Sequence, residues 1–103
     1  MAWIILLAAG LFEIGWAVGL KAAEGRFWWL AATIAAMVVS VVLLYLAMRD
    51  LPLGTAYAVW TGIGAVGTVA CGIVFFGEPA DAVRLGCIAL IVTGIVGLKM
   101  VTP

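Results

Sequence analysis

FWWLAATIAAMVVSVVLLYLAM, residues 27–48, contains no charged side chain. Its apolar residues cover every face of a helix, leaving no polar stripe for water. At 1.5 Å per residue the run is long enough to cross a hydrocarbon core of ~30 Å. Charged residues stand on both sides of it: Lys21, Glu24 and Arg26 before, Arg49 and Asp50 after. Beyond these come only Glu78, Asp81, Arg84 and Lys99, with Glu13 alone inside the first apolar run. The pattern predicts four transmembrane helices, near residues 2–20, 27–48, 53–76 and 85–100. The fold class is an all-α membrane protein, a four-transmembrane-helix bundle forming one integral membrane domain over residues 1–103.

Composition agrees with this reading. The 103 residues are 68% hydrophobic and 10% charged, with a mean hydropathy of +1.36. A soluble domain carries about a quarter charged residues. The first helix is expected to stay in place rather than be cleaved as a signal peptide, because no positive region precedes it and no hydrophilic domain follows. The runs are continuously apolar, unlike the alternating strands of about ten residues in a membrane barrel. A formal net charge of zero leaves no basic patch for nucleic acid. Cys71 and Cys87 fall inside predicted spans and read as small packing residues, so no metal or cofactor is expected.

The links are short. Arg49-Asp50-Leu51-Pro52 is the whole second loop, and GEPADAVR begins with a glycine suited to end a helix and continues to a proline. Neighbouring helices must therefore run antiparallel. One side of the membrane then receives Lys21, Arg26 and Arg84, the other Arg49 and Lys99. So even a distribution gives little orientation preference. Two copies of opposite orientation could pair as an antiparallel, dual-topology homodimer, the two halves of a transporter supplied by one chain. A parallel dimer is the alternative.

Glu13 lies ~3 Å from the midplane of the first helix. A charge there costs about 2.5–3.5 kcal/mol on insertion scales and usually marks function. Its alternative is a permanently protonated acid bonded to a neighbouring helix. On the same face are Ala9, Gly10, Trp16 and Ala17, small residues that leave room for a helix or a ligand. Trp16 is too deep for an interfacial belt, unlike Trp3, Phe27, Trp28, Trp29, Phe75 and Phe76, and is a candidate cation–π surface. An ordinary glutamate is protonated about once in 500 at neutral pH. Burial and a second like charge are the influences that bring a carboxyl into the neutral range. A pair of such groups would hold either protons or a cation, which is what an antiporter requires.

In the third helix, Gly62, Gly64 and Gly67 have GxGxxG spacing, but no strand precedes them and they lie within a span, so they are not a nucleotide site. They are expected to form a conformational hinge. Tyr57 and Trp60 share a face with Gly64, and Trp60 lies ~10 Å below the interface. Tyr57 also fits an interfacial position. Ser40, the polar residue near the centre of the second helix, can bond a carboxylate or its own backbone. Thr33, Thr68 and Thr93 read as packing. In the fourth helix Gly86, Cys87, Leu90, Ile91, Gly94 and Gly97 form a seam suited to a dimer interface.

Taken together, these residues resemble the small multidrug resistance family. The shared features are Gly10-x-x-Glu13-x-x-Trp16, Pro52-x-Gly54-x-Ala56-Tyr57-Ala58-x-Trp60-x-Gly62-x-Gly64, and the Glu78-Pro79 loop; the likeness extends over the whole chain. The resemblance implies a proton-coupled exporter, not an enzyme, built as an antiparallel homodimer in the bacterial inner membrane. It implies that Glu13 from both copies forms the site for substrate and protons, lined by Trp60 and Tyr57, with Trp16, Ser40 and Gly10 close by. Trp16, Ser40 and GTAYAVWTGIGAVG look more like the guanidinium subtype than the one that exports bulky quaternary ammonium cations. A planar guanidinium also matches carboxylates and indoles chemically. Cys87 departs from the family, replacing a glycine common in its dimer motif. The rivals are a quaternary ammonium exporter of the same family, a small ion channel and a non-transporting assembly subunit.

Overall fold

Each uncharged run becomes a helix and each charged cluster becomes a turn in a computed structural model that describes Met1 to Thr102. The helices are α1 (Ala2–Ala23), α2 (Phe27–Met48), α3 (Leu53–Phe76) and α4 (Ala82–Val101). All four are long and apolar enough to cross a membrane.

Two ends differ from the sequence expectation, each for a polar reason. α1 continues past residue 20 to Ala23, where Glu24 (φ 48°) and Gly25 (φ 79°) turn left-handed. The Arg26 guanidinium donates to the last carbonyls of α1, at Ala22 (2.9 Å) and Ala23 (3.2 Å). A cation at a helix C-terminus satisfies orphan carbonyls and opposes the helix dipole. α4 begins at Ala82 rather than near 85, because the Asp81 side chain caps it by accepting from the Arg84 backbone N–H at 2.9 Å. Basic residues also rest on aromatic rings at the helix ends: Lys21 on Phe76 (5.9 Å to the centroid), Arg26 on Trp29 (5.1 Å) and Lys99 on Trp3 (5.0 Å).

α1 packs against both α2 and α3, whereas α4 packs mainly against α3 and reaches α1 through Lys99 on the Trp3 ring. The molecule measures 42 × 34 × 16 Å. Its buried core of Leu6, Ala9, Leu44, Ala47, Leu51, Ala56 and Val59 lies where α1 begins, α2 ends and α3 begins. No residue of α4 is buried. Lipid tails are as apolar as leucine, so close packing rather than water exclusion must hold these helices together.

Glycines supply that closeness. Ile63 lies where a Cβ on Gly10 would sit, Ile14 occupies the space beside Gly67, and Ile95 of α4 covers Gly62. α3 runs uninterrupted through Gly62, Gly64 and Gly67. All three are contact points in this conformation.

Gly67→Ala should therefore force α1 and α3 apart and destabilise the fold by about 1–3 kcal/mol, the usual cost of overpacking. Ile14→Ala in the same chain should recover most of that loss. Gly15→Ala, with nothing within 4 Å of the added Cβ, should cost nothing. Denaturant titration in detergent micelles checks all three.

Candidate functional site

Glu13 sits midway along α1, and its carboxyl group lies directly against Gly64 of α3, in space that any side chain at residue 64 would fill. One turn earlier on α1 is Ala9, and one turn earlier on α3 is Trp60. Ser40 of α2 joins them. Its buried hydroxyl donates to the Ala9 carbonyl at 2.7 Å and accepts from the Trp60 indole N–H at 3.0 Å. The Tyr57 and Trp60 rings are 5.5 Å apart between centroids and tilted by 49°. Ser40 thus ties α1 and α3 together one turn from the residues that carry the Glu13–Gly64 contact.

Two polar atoms at this place are shielded from solvent yet unpaired within the chain: Glu13 Oε2 and Trp16 Nε1. They belong to residues three apart on one helix face, one able to accept and the other to donate. Buried polar groups are nearly always bonded, so two adjacent exceptions point to an outside partner.

The Small Multidrug Resistance protein family model matches residues 1–91. Guanidinium exporters of Escherichia coli (strain K12) and Citrobacter freundii are 58% and 57% identical to this chain, each over 99% of both sequences. The chain belongs to the small multidrug resistance family. Its relatives are named as transporters. With four membrane-capable helices, this member is a multi-pass protein of the bacterial inner membrane.

Within this family member, the structure brings Glu13 and Gly64 into contact and links Ser40 to Trp60, with Tyr57 beside Trp60. Two open readings are decided and one expectation needs correction. Ser40 takes its backbone-bonded alternative: its proton goes to the Ala9 carbonyl rather than to the carboxylate, and its oxygen accepts from Trp60, so it holds the indole. Gly10 makes room for a neighbouring helix rather than a ligand, because Ile63 of α3 fills the space beside it. Ile91 does not stand with the free seam of α4, because it turns toward Gly62 of α3. Cys87 and Leu90 are exposed, and nothing lies within 4 Å of a Cβ placed on Gly94.

Sequence reasoning passed over the Ala9 carbonyl, since a main-chain acceptor leaves no mark in composition. Thr68, read as packing, lies one turn beyond Gly64 on α3. The i, i+4 spacing from Gly64 was the available signal.

Ser40→Ala should leave both the Trp60 N–H and the Ala9 carbonyl without their partner. A loss of roughly 0.5–1.5 kcal/mol in stability is expected. The Trp60 indole N–H resonance should move toward the position of an unbonded indole, while the Trp3 and Trp28 signals stay in place.

Proposed function

We propose that this protein exports guanidinium and small guanidinyl cations in exchange for protons. The reading is supported most directly by the unpaired Glu13 carboxylate oxygen at mid-membrane depth, in a chain 58% identical to a guanidinium exporter. Facing outside, Glu13 takes up a proton. Facing the cytoplasm, guanidinium displaces it, its parallel N–H donors matching the carboxylate oxygens. Trp16, Trp60 and Tyr57 line the site and offer aromatic faces to the flat cation. Occupancy by one cation excludes the other, and a buried charge left unpaired is costly, so the empty site moves poorly.

The working unit is an antiparallel homodimer with one Glu13 from each copy. Four helices are too few to enclose a polar pathway and also shield Glu13 from lipid, and α4 presents no buried residue of its own. A second copy packed along α4, at Cys87, Leu90 and Gly94, completes the enclosure. The basic residues at the two ends of the bundle, Lys21, Arg26 and Arg84 against Arg49 and Lys99, suit insertion in both orientations. Because the copies are identical, the inward-open and outward-open dimers have equal energy. Gly62, Gly64 and Gly67 provide the bending of α3 between them.

Electrical currents from purified protein in liposomes test this. Guanidinium should give currents that vanish in Glu13→Gln. Since proton and guanidinium compete, acidification should weaken apparent guanidinium affinity, by up to ~tenfold per pH unit for each proton displaced. A larger response to a bulky quaternary ammonium cation would assign the multidrug subtype. Passive flux without proton coupling would indicate a channel.

A further inference from the structure

On the side of Glu13 away from the packed core, a cavity of about 220 Å³ opens between α1 and α3. Its inner lining includes Ala17 and Thr68; its outer lining includes Lys21, Gly72, Phe76 and Glu78. Ala17 is one turn beyond Glu13 on α1, and Thr68 is one turn beyond Gly64, the glycine that receives the Glu13 carboxyl. The inner end of the cavity is thus ~6 Å along the helix axes from the carboxylate. Its outer end lies at the level of the α3–α4 loop, where charged residues gather.

Glu78 is turned into this cavity by the way α3 ends. Gly77 is left-handed (φ 66°), and the Glu78 backbone N–H donates to the Gly72 carbonyl at 3.1 Å. The side chain folds back along α3 until its carboxyl group occupies the space beside Gly72 that a Cβ would fill. The loop geometry and the missing Cβ bring this acid back over the helix while it stays exposed. Glu13 on Gly64 and Glu78 on Gly72 are therefore two carboxyl groups seated on the same ridge of α3, with Thr68 between them.

The Glu78 carboxylate has neither a side-chain hydrogen bond nor an ion pair among the described residues. Lys21 lines the same cavity but lies over the Phe76 ring, 5.9 Å from its centroid, and forms no ion pair with Glu78. A free carboxylate beside an aromatic ring repeats the chemistry of the inner site, where Glu13 stands with Trp16. The same small, flat, N–H-rich cation suits both.

We propose that Glu78 is an outer binding residue for the transported guanidinyl cation, placed at the mouth of a groove that leads to Glu13, with Lys21 as the opposing charge that the cation must displace. This rests on the guanidinium reading above. Capture at Glu78 raises the local cation concentration about two turns, ~12 Å, from Glu13. Lys21 works in the other direction, by occupying the aromatic face and repelling the arriving cation. In an antiparallel dimer, one such groove opens on each side of the membrane, so both directions of transport share the effect.

The test is the guanidinium dependence of the liposome currents for variants at both residues. Glu78→Gln should raise the half-saturating concentration by roughly three- to tenfold, with the loss falling on KM rather than on the maximal rate. Glu78→Asp should recover part of the loss. Lys21→Gln should move KM the opposite way, by about two- to threefold. Raising the ionic strength from about 0.01 M to 0.1 M shortens the Debye length from ~30 Å to ~10 Å and should shrink the gap between the native protein and Glu78→Gln. Unchanged KM in both Glu78→Gln and Lys21→Gln would overturn the proposal. So would an equal fall in maximal rate for Glu78→Gln and Glu78→Asp, the mark of a loop that needs this side chain only to fold. In either case, currents in the native protein that Glu13→Gln abolishes would leave the export reading intact. No guanidinium current in the native protein would defeat both together.

Discussion

The structure depends on how closely α3 can approach α1. Where α3 carries Gly64 and Gly67, α1 carries Glu13 and Ile14, and both side chains lie in space that a Cβ would take. One constraint thus has two consequences. Ile14 on Gly67 gives the close van der Waals contact that must stand in for the hydrophobic effect between helices in lipid. Glu13 on Gly64 fixes a carboxylate between two helices rather than against lipid. The glycines that make the bundle cohere also decide where its acid sits.

The second determinant is Ser40. It could have satisfied Glu13 directly, and a carboxylate bonded to a serine of its own chain would have been a structural link. The hydroxyl instead spans α1 and α3 through the Ala9 carbonyl and the Trp60 indole. α2 thereby orients an aromatic wall and leaves the Glu13 oxygen unpaired. Under the proposed exchange cycle that division is a requirement, since a carboxylate already occupied by a neighbour would hold cation and proton equally poorly.

Much of this was legible in the sequence, and the reason is the membrane itself. Runs of about 20 apolar residues leave helices as the one way to satisfy the backbone in lipid, so the four spans followed from where charge is missing. The charged ends were less legible: Asp81 and Arg84 belong to the cap and first turn of α4, and Arg26 extends α1 by bonding its terminal carbonyls. Glu13, Trp60 and Ser40 stood out because polar or indole groups are expensive at depth. Their partners did not, because Ala9 contributes a carbonyl and Gly64 contributes an absence. The glycine spacing in α3 carried the clue to its contacts with α1, but spacing alone does not separate a bend from a seat. Gly62, Gly64 and Gly67 are all seats in this conformation.

A seat and a bend need not conflict. For α3 to bend in the proposed cycle, Ile14 and Glu13 must slide along it, and a ridge without side chains at 64 and 67 is the surface that resists sliding least. Movement along the same ridge would carry Glu13 toward Thr68, and Glu78 holds Gly72 one turn further out. The unequal packing of the helices fits such a division of labour. α1 is fastened to α2 through the Ser40 bond to Ala9 and the core at its N-terminal end, while α4 is joined mainly to α3 and has no buried residue. The cavity beside Lys21 and Glu78 lies between α1 and the outer part of α3, and a motion that parts them there must release Lys21 from the Phe76 ring.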